Sequence, residues 1–208
     1  MVPKLKIWVL LSILTTILGL IATTYSFQHD IKIKTPKETP KINFEDPQAE
    51  PKIDFKNLQV QQESDSICNI NEKFSCDTVA QDSWSTIFGI PLGYYGFSYF
   101  VAGIVLLTLG YLIHTRVSAF AYSYLLMNIV AFLISMTLFL YSKFGIGVFC
   151  PSCIAIDSVV ALQLFLSIIC RKAFPTRSSL KGVVLGGIVA SSAVVVTLGM
   201  YFVFFPSL

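Results

Sequence analysis

The chain has 208 residues, of which 54% are hydrophobic and 13% charged, with a formal net charge of +3. A soluble domain carries about a quarter charged residues, so this composition excludes an ordinary soluble globular protein and suggests lipid rather than nucleic acid as a partner. The acids lie between Asp30 and Asp82, and beyond that stretch only Asp157 remains, which is a membrane composition.

Five apolar runs follow along the chain: Ile7–Thr24, Leu92–Ile113, Val117–Tyr141, Ile154–Cys170 and Val183–Phe205. At about 1.5 Å per residue, roughly 20 residues cross a hydrocarbon core of about 30 Å. The fourth run reaches that length only if its helix begins near Cys150. Lipid offers the backbone no water, so each run is expected to be a helix. The first run, preceded by Lys4 and Lys6, has a cleaved signal peptide as its alternative. Its near-spanning length and the lack of a small-x-small site favour a retained helix.

The tract after the first run carries Pro36, Pro40, Pro47 and Pro51 among lysines and acids, with few aromatics. Such a composition buries too little apolar surface to order itself and reads as a tether. The expected divisions are therefore 1–25, a transmembrane helix; 26–65, a flexible periplasmic tether; 66–171, a bundle with a cysteine-bearing loop; and 172–208, a basic loop and a last helix.

Orientation follows from basic residues in short loops. Lys4 and Lys6, His114 and Arg116, and Arg171, Lys172, Arg177 and Lys181 alternate onto one side, expected to be cytoplasmic. The cysteines Cys68, Cys76, Cys150 and Cys153 then face the periplasm of an inner membrane, where disulfides persist.

Cys68 and Cys76 sit in the loop before the second run. A bond between them closes a small loop, worth roughly 2.5 kcal/mol in the chain-entropy model. That is modest for a staple, so the pair reads as a shuttle that meets a soluble thiol partner. Cys150-Pro151-Ser152-Cys153 stands where a turn becomes the fourth helix. Its spacing lets the two sulfurs meet within one helical turn. Pro151 suits a first helical turn, and the helix N-terminus favours a thiolate at Cys150. Thiolate is the attacking species in disulfide exchange. The rival is zinc, held by these four cysteines as structural ligands. Cys170, at the far end of the fourth run, reads as a packing residue.

Repeated oxidation of a dithiol needs a two-electron acceptor, and the chain carries no dinucleotide fingerprint and no haem motif. The membrane's quinone pool, ubiquinone or menaquinone, is the expected acceptor. Asp157 follows Cys150 by seven residues and Cys153 by four, so the three share one helical face. An acid inside a bilayer costs about 2.5–3.5 kcal/mol on insertion scales, which favours a functional role in relaying a proton or bonding a quinone oxygen. A solvated acid near the interface is the alternative.

Together, Cys68 and Cys76, the stretch Trp84-Ser85-Thr86-Ile87-Phe88-Gly89-Ile90-Pro91, and Cys150-Pro151-Ser152-Cys153 opening a late helix resemble the vitamin K epoxide reductase family, in its bacterial disulfide-forming branch. The resemblance spans about 66–170. It implies an all-α membrane protein with a four-helix bundle around a quinone, here with one extra helix. It also implies that Cys153 lies nearer the quinone and that Cys150 exchanges with Cys76, while Cys68 engages the partner. Asp82 stands where the family often has a serine or threonine, with Ser83 next to it. Asp157, Asp82, Ser83 and Phe88 are the expected quinone contacts. No fused thioredoxin domain follows the last run, so a separate periplasmic thioredoxin-fold thiol oxidoreductase is the expected partner. The activity implied is a quinone-dependent thiol–disulfide oxidoreductase. A quinone or vitamin K epoxide reductase, and a non-catalytic scaffold with structural disulfides or zinc, are the alternatives.

Overall fold

The structure, a computed structural model, describes residues 3–34, 68, 70–71, 73–113, 117–172 and 180–204. In chain order it comprises helix α1 (Pro3–Lys34), the short helix α2 (Cys76–Gln81) and a 3-10 turn (Ser83–Ser85). A two-residue hairpin follows, β1 (Thr86–Ile87) and β2 (Ile90–Pro91), and then α3 (Leu92–Leu112) and α4 (Val117–Tyr141). A π-turn (Ser142–Ile146) leads to α5 (Pro151–Lys172), and α6 (Leu180–Phe204) ends the described chain. Among the described residues, five helices are long and apolar enough to cross a membrane, as expected from the five runs.

Four of them close a ring. α1 and α4 each pack against both α3 and α5, and α6 lies outside against α3 and α4. This is the expected four-helix core with one added helix. Lipid removes the usual drive to bury apolar side chains, so the helices face each other through small and polar residues. On α1 the inward stripe is Ser12, Thr16 and Thr23, while Leu10, Leu14, Leu18 and Ile21 are exposed. Gly19 belongs to the same inward stripe. A Cβ there would stand 2.1 Å from the buried ring of Phe100 on α3, so only glycine permits that approach.

α1 corrects one expectation. It was expected to end near residue 24 and yield to the tether at 26, yet it continues to Lys34. Phe27 and Ile31, one turn apart, pack with Ile90, Tyr94 and Tyr201, which gives this polar-looking segment a buried face. His29 Nε2 lies 3.2 Å from Asp77 Oδ1 and ties the same segment to α2. The rest of the proposed tether (35–65), His114, Arg116, Arg177 and the side chains of Cys170 and Lys181 lie outside the described residues.

Cysteine-bearing segments gather at one end of the ring, together with the C-terminal ends of α1 and α4. The π-turn closes on Gly147 at φ 76°, a left-handed conformation that glycine accepts freely, and the chain then reverses toward Phe149 and Cys150.

Candidate active site

The loop carrying Cys76 is fastened to the segment carrying Cys150 by backbone. Phe74 and Phe149 form a parallel bridge, in which Ser75 N–H donates to the Phe149 carbonyl at 3.0 Å. Phe149 N–H donates in turn to the Lys73 carbonyl at 2.8 Å. The rings of Phe74 and Phe149 stack at 5.8 Å, and Phe139 of α4 packs on Phe149 at 5.7 Å. Locally, the Asn71 side chain accepts from Lys73 N–H and Phe74 N–H and shapes the turn. Ser75 then caps α2 by accepting from Thr78 N–H, which sets Cys76 at the first helical position. These residues aim Cys76 at α5.

The outcome is a compact sulfur cluster. Cys68 and Cys76 are joined in a disulfide, whereas Cys150 and Cys153 are free thiols. Cys76 Sγ and Cys150 Sγ are 3.2 Å apart, in direct contact and within reach of exchange. Cys153 N–H donates to Cys150 Sγ at 3.3 Å. The sulfurs of Cys68, Cys76 and Cys150 lie within 4.8 Å of one another, a spacing that three metal ligands would also show. Two of them are bonded to each other, however, and zinc takes thiolates rather than disulfide sulfur. The arrangement therefore suits exchange better than metal binding.

Cys150 ionises easily. Its pKa falls from an ordinary 9.0 to about 7, chiefly through the hydrogen bond from the Cys153 thiol. The Ser152 hydroxyl and the Cys153 backbone N–H add to this, while burial and the nearby Asp30 charge of α1 oppose it. A lowered value at the first cysteine was expected from the helix N-terminus; the larger part comes from the second thiol.

Beneath the cluster lies a cavity of about 780 Å³, bounded by α1, α3, α4, α5 and one side of α6. Cys153 is exposed and lines it, beside Cys150, and the rings of Tyr99, Phe139 and Phe149 contribute to the walls. Asp157 also lines it, one turn of α5 beyond Cys153, and accepts a hydrogen bond from the Ser135 hydroxyl of α4.

The expected contact residues divide. Asp157 and Asp82 line the cavity, Asp82 at its rim where Tyr141 O–H donates to it at 3.4 Å. Ser83 is exposed and does not line the cavity; Ser85 does, two residues on. Phe88 is 90% exposed at the hairpin tip with φ 52°, and it too lies off the cavity. The antiparallel pairing of Ile87 with Ile90 leaves Phe88 and Gly89 as a two-residue turn that points its ring outward. Sequence reasoning missed Ser135, Tyr99 and Asp30, which reach the site from helices remote in sequence and carry no local motif.

Neither curated proteins nor solved structures provide a match to the chain. The family model for the vitamin K epoxide reductase family, whose members are membrane redox enzymes that use quinone as electron partner, matches residues 8–168, covering most of α1, the sulfur cluster and most of α5. By that match over most of its length, and by the ring of four helices with its sulfur cluster at one end, the chain belongs to the vitamin K epoxide reductase family.

Proposed function

We propose that the chain is a membrane thiol oxidase that drives disulfide bond formation. It would take electrons from a separate periplasmic thioredoxin-fold protein through Cys68/Cys76 and Cys150/Cys153 to quinone. The observation that carries this reading is the 3.2 Å separation of Cys76 and Cys150 sulfurs at the edge of the cavity lined by Cys153.

The steps follow from which sulfurs touch. A partner dithiol reduces the Cys68–Cys76 bond and leaves with a disulfide of its own. With the bundle pair oxidised, Cys76 thiolate attacks Cys150 Sγ; the Cys76–Cys150 bond forms, and the Cys150–Cys153 bond breaks with its electron pair on Cys153. Cys68 thiolate then attacks Cys76 Sγ, restoring the loop disulfide and releasing Cys150 as thiolate. The described chain, with the loop pair bonded and the bundle pair free, matches the state after this last step. Reoxidation of Cys150/Cys153 completes the cycle.

The cavity fits a quinone. It is largely apolar, flanked by aromatic rings, and holds the Asp157–Ser135 pair in its wall. When bound there, ubiquinone or menaquinone supplies a sink for two electrons and two protons. Cys153 is the thiol that would face it, and Asp157 is the group that would hold a hydrogen bond to one of its oxygens or move a proton to it. The test mixes purified protein, quinone and a reduced thioredoxin-fold partner. Cys153→Ser is expected to lose quinone reduction by at least about a hundredfold; retention of the wild-type rate would sink the mechanism.

A further inference from the structure

Ser152 occupies a variable position of the Cys-x-x-Cys motif, and its hydroxyl departs from the pattern of most helix serines. Ser98, Ser123 and Ser158 each return their hydroxyl to the carbonyl four residues back, and Ser167, Ser191 and Ser192 to the carbonyl three back. That is the ordinary resting place of a serine inside a helix. Ser152, in the first turn of α5, instead faces two sulfurs: Cys150 Sγ at 3.0 Å and Cys76 Sγ at 3.5 Å. With those sulfurs 3.2 Å apart, the three atoms form a closed triangle.

We propose that the Ser152 hydroxyl is a catalytic group of the exchange itself, donating its hydrogen in turn to the Cys76 and Cys150 sulfurs as negative charge moves from one to the other. This rests on the reading of the two pairs as exchange partners. Before the first attack the charge is on Cys76. After Cys68 resolves the mixed disulfide, the charge is on Cys150. Both positions lie within reach of one rotating O–H. The hydroxyl proton stays on Oγ throughout, so Ser152 moves no proton and no electrons; it stabilises the attacking thiolate and the leaving thiolate of successive steps. A donor to thiolate also sets which sulfur holds charge at rest, and therefore how readily the loop pair hands over its electrons.

The experiment reads sulfur chemistry alone, in full-length protein without quinone. In a Cys68→Ala background Cys76 has no resolving partner, so attack on the oxidised Cys150–Cys153 pair accumulates a Cys76–Cys150 bond, measured by peptide mapping. Adding Ser152→Ala is expected to slow that formation about tenfold, as for a lost hydrogen bond to a charged group. In otherwise native cysteines it is expected to move the alkylation profile of Cys150 to higher pH. Ser152→Thr keeps the hydroxyl and is expected to stay within about twofold of wild type in both readings. The other titratable groups bearing on Cys150, Asp30 of α1 and Cys153 of α5, are unchanged in these variants. A wild-type exchange rate in Ser152→Ala, or a slowed rate with an unmoved alkylation profile, would overturn the assignment while leaving the exchange pathway standing. Absence of any Cys76–Cys150 bond in the Cys68→Ala background would bring down both.

Discussion

A thiol attacks only to the extent that it ionises, and Cys150 is held where ionisation comes early. The Cys153 thiol, the Ser152 hydroxyl and a backbone N–H all point at its sulfur, and together they outweigh burial and the charge of Asp30. Since the thiolate is the deprotonated form, reactivity should be low below the shifted value and rise through about pH 7 rather than 9. Alkylation of Cys150 with a small haloacetamide, located by mass spectrometry, is expected to be half-maximal near pH 7; a midpoint near 9 would refute the hydrogen-bond geometry. At this scale Cys150, Cys153 and Asp157 stood out by spacing, because a Cys-x-x-Cys opening a helix and an acid four residues on share a face by helical geometry, whereas Cys68 and Cys76 were read from their loop and from the family resemblance. Ser135 was not. It meets Asp157 from 22 residues away on a neighbouring helix, and nothing in either local sequence announces the pairing.

Helices carry the next scale. The bounds of α4 agree with its apolar run, and those of α3 and α6 fall within a few residues of theirs, because continuous hydrophobicity dictates a lipid-crossing helix whatever its neighbours. The last nine residues of α1 were misread for the converse reason. Ser26–Lys34 is polar by composition and helical because Phe27 and Ile31 pack with Ile90, Tyr94 and Tyr201. Equally invisible was the connection among the four core helices. Tyr99 O–H of α3 lies 2.6 Å from Asn128 Oδ1 of α4 and 2.8 Å from Gln163 Oε1 of α5. Gln163 donates onward to Thr16 Oγ1 of α1 at 2.9 Å. Asn128, Gln163 and Thr16 are fully buried, so this polar network fixes how the helices face each other. Tyr99→Phe removes the hydroxyl shared by two amide oxygens. Interhelical hydrogen bonds in membranes contribute about 0.6 kcal/mol on average and up to about 1.7 kcal/mol, so the variant is expected to lose about 1 kcal/mol. A fall in Tm of roughly 2–4 °C in detergent would register that loss, and an unchanged Tm would show that the network does not hold the ring.

Over the whole molecule, the sulfur cluster occupies one end of the bundle and Arg171 the other. Arg171 lies at the end of α5 remote from Cys150, where its guanidinium sits 5.0 Å from the ring of Tyr122 on α4. If basic termini mark the cytoplasmic side, as the positive-inside rule has it, the cysteine end faces the periplasm of an inner membrane. Intact spheroplasts treated with a reductant and then a membrane-impermeant maleimide are expected to label Cys68 and Cys76. Labelling only after lysis would reverse the orientation and with it the proposed partner. The bundle and its count of spans were legible because lipid imposes them, and the resemblance implied that Cys76 meets Cys150, whereas the backbone bridge that docks the loop was not legible, since Phe74 and Phe149 stand 75 residues apart.

That docking has a cost in time. Cys68 and Cys76 are each only 4% exposed while the bridge holds, so a folded donor cannot reach their bond in this arrangement. On the proposed route, loading by a donor and unloading into the bundle therefore exclude one another, like the two sides of a turnstile. Even with donor and acceptor in excess, throughput would level off at the frequency with which the bridge between Phe74 and Phe149 opens and closes.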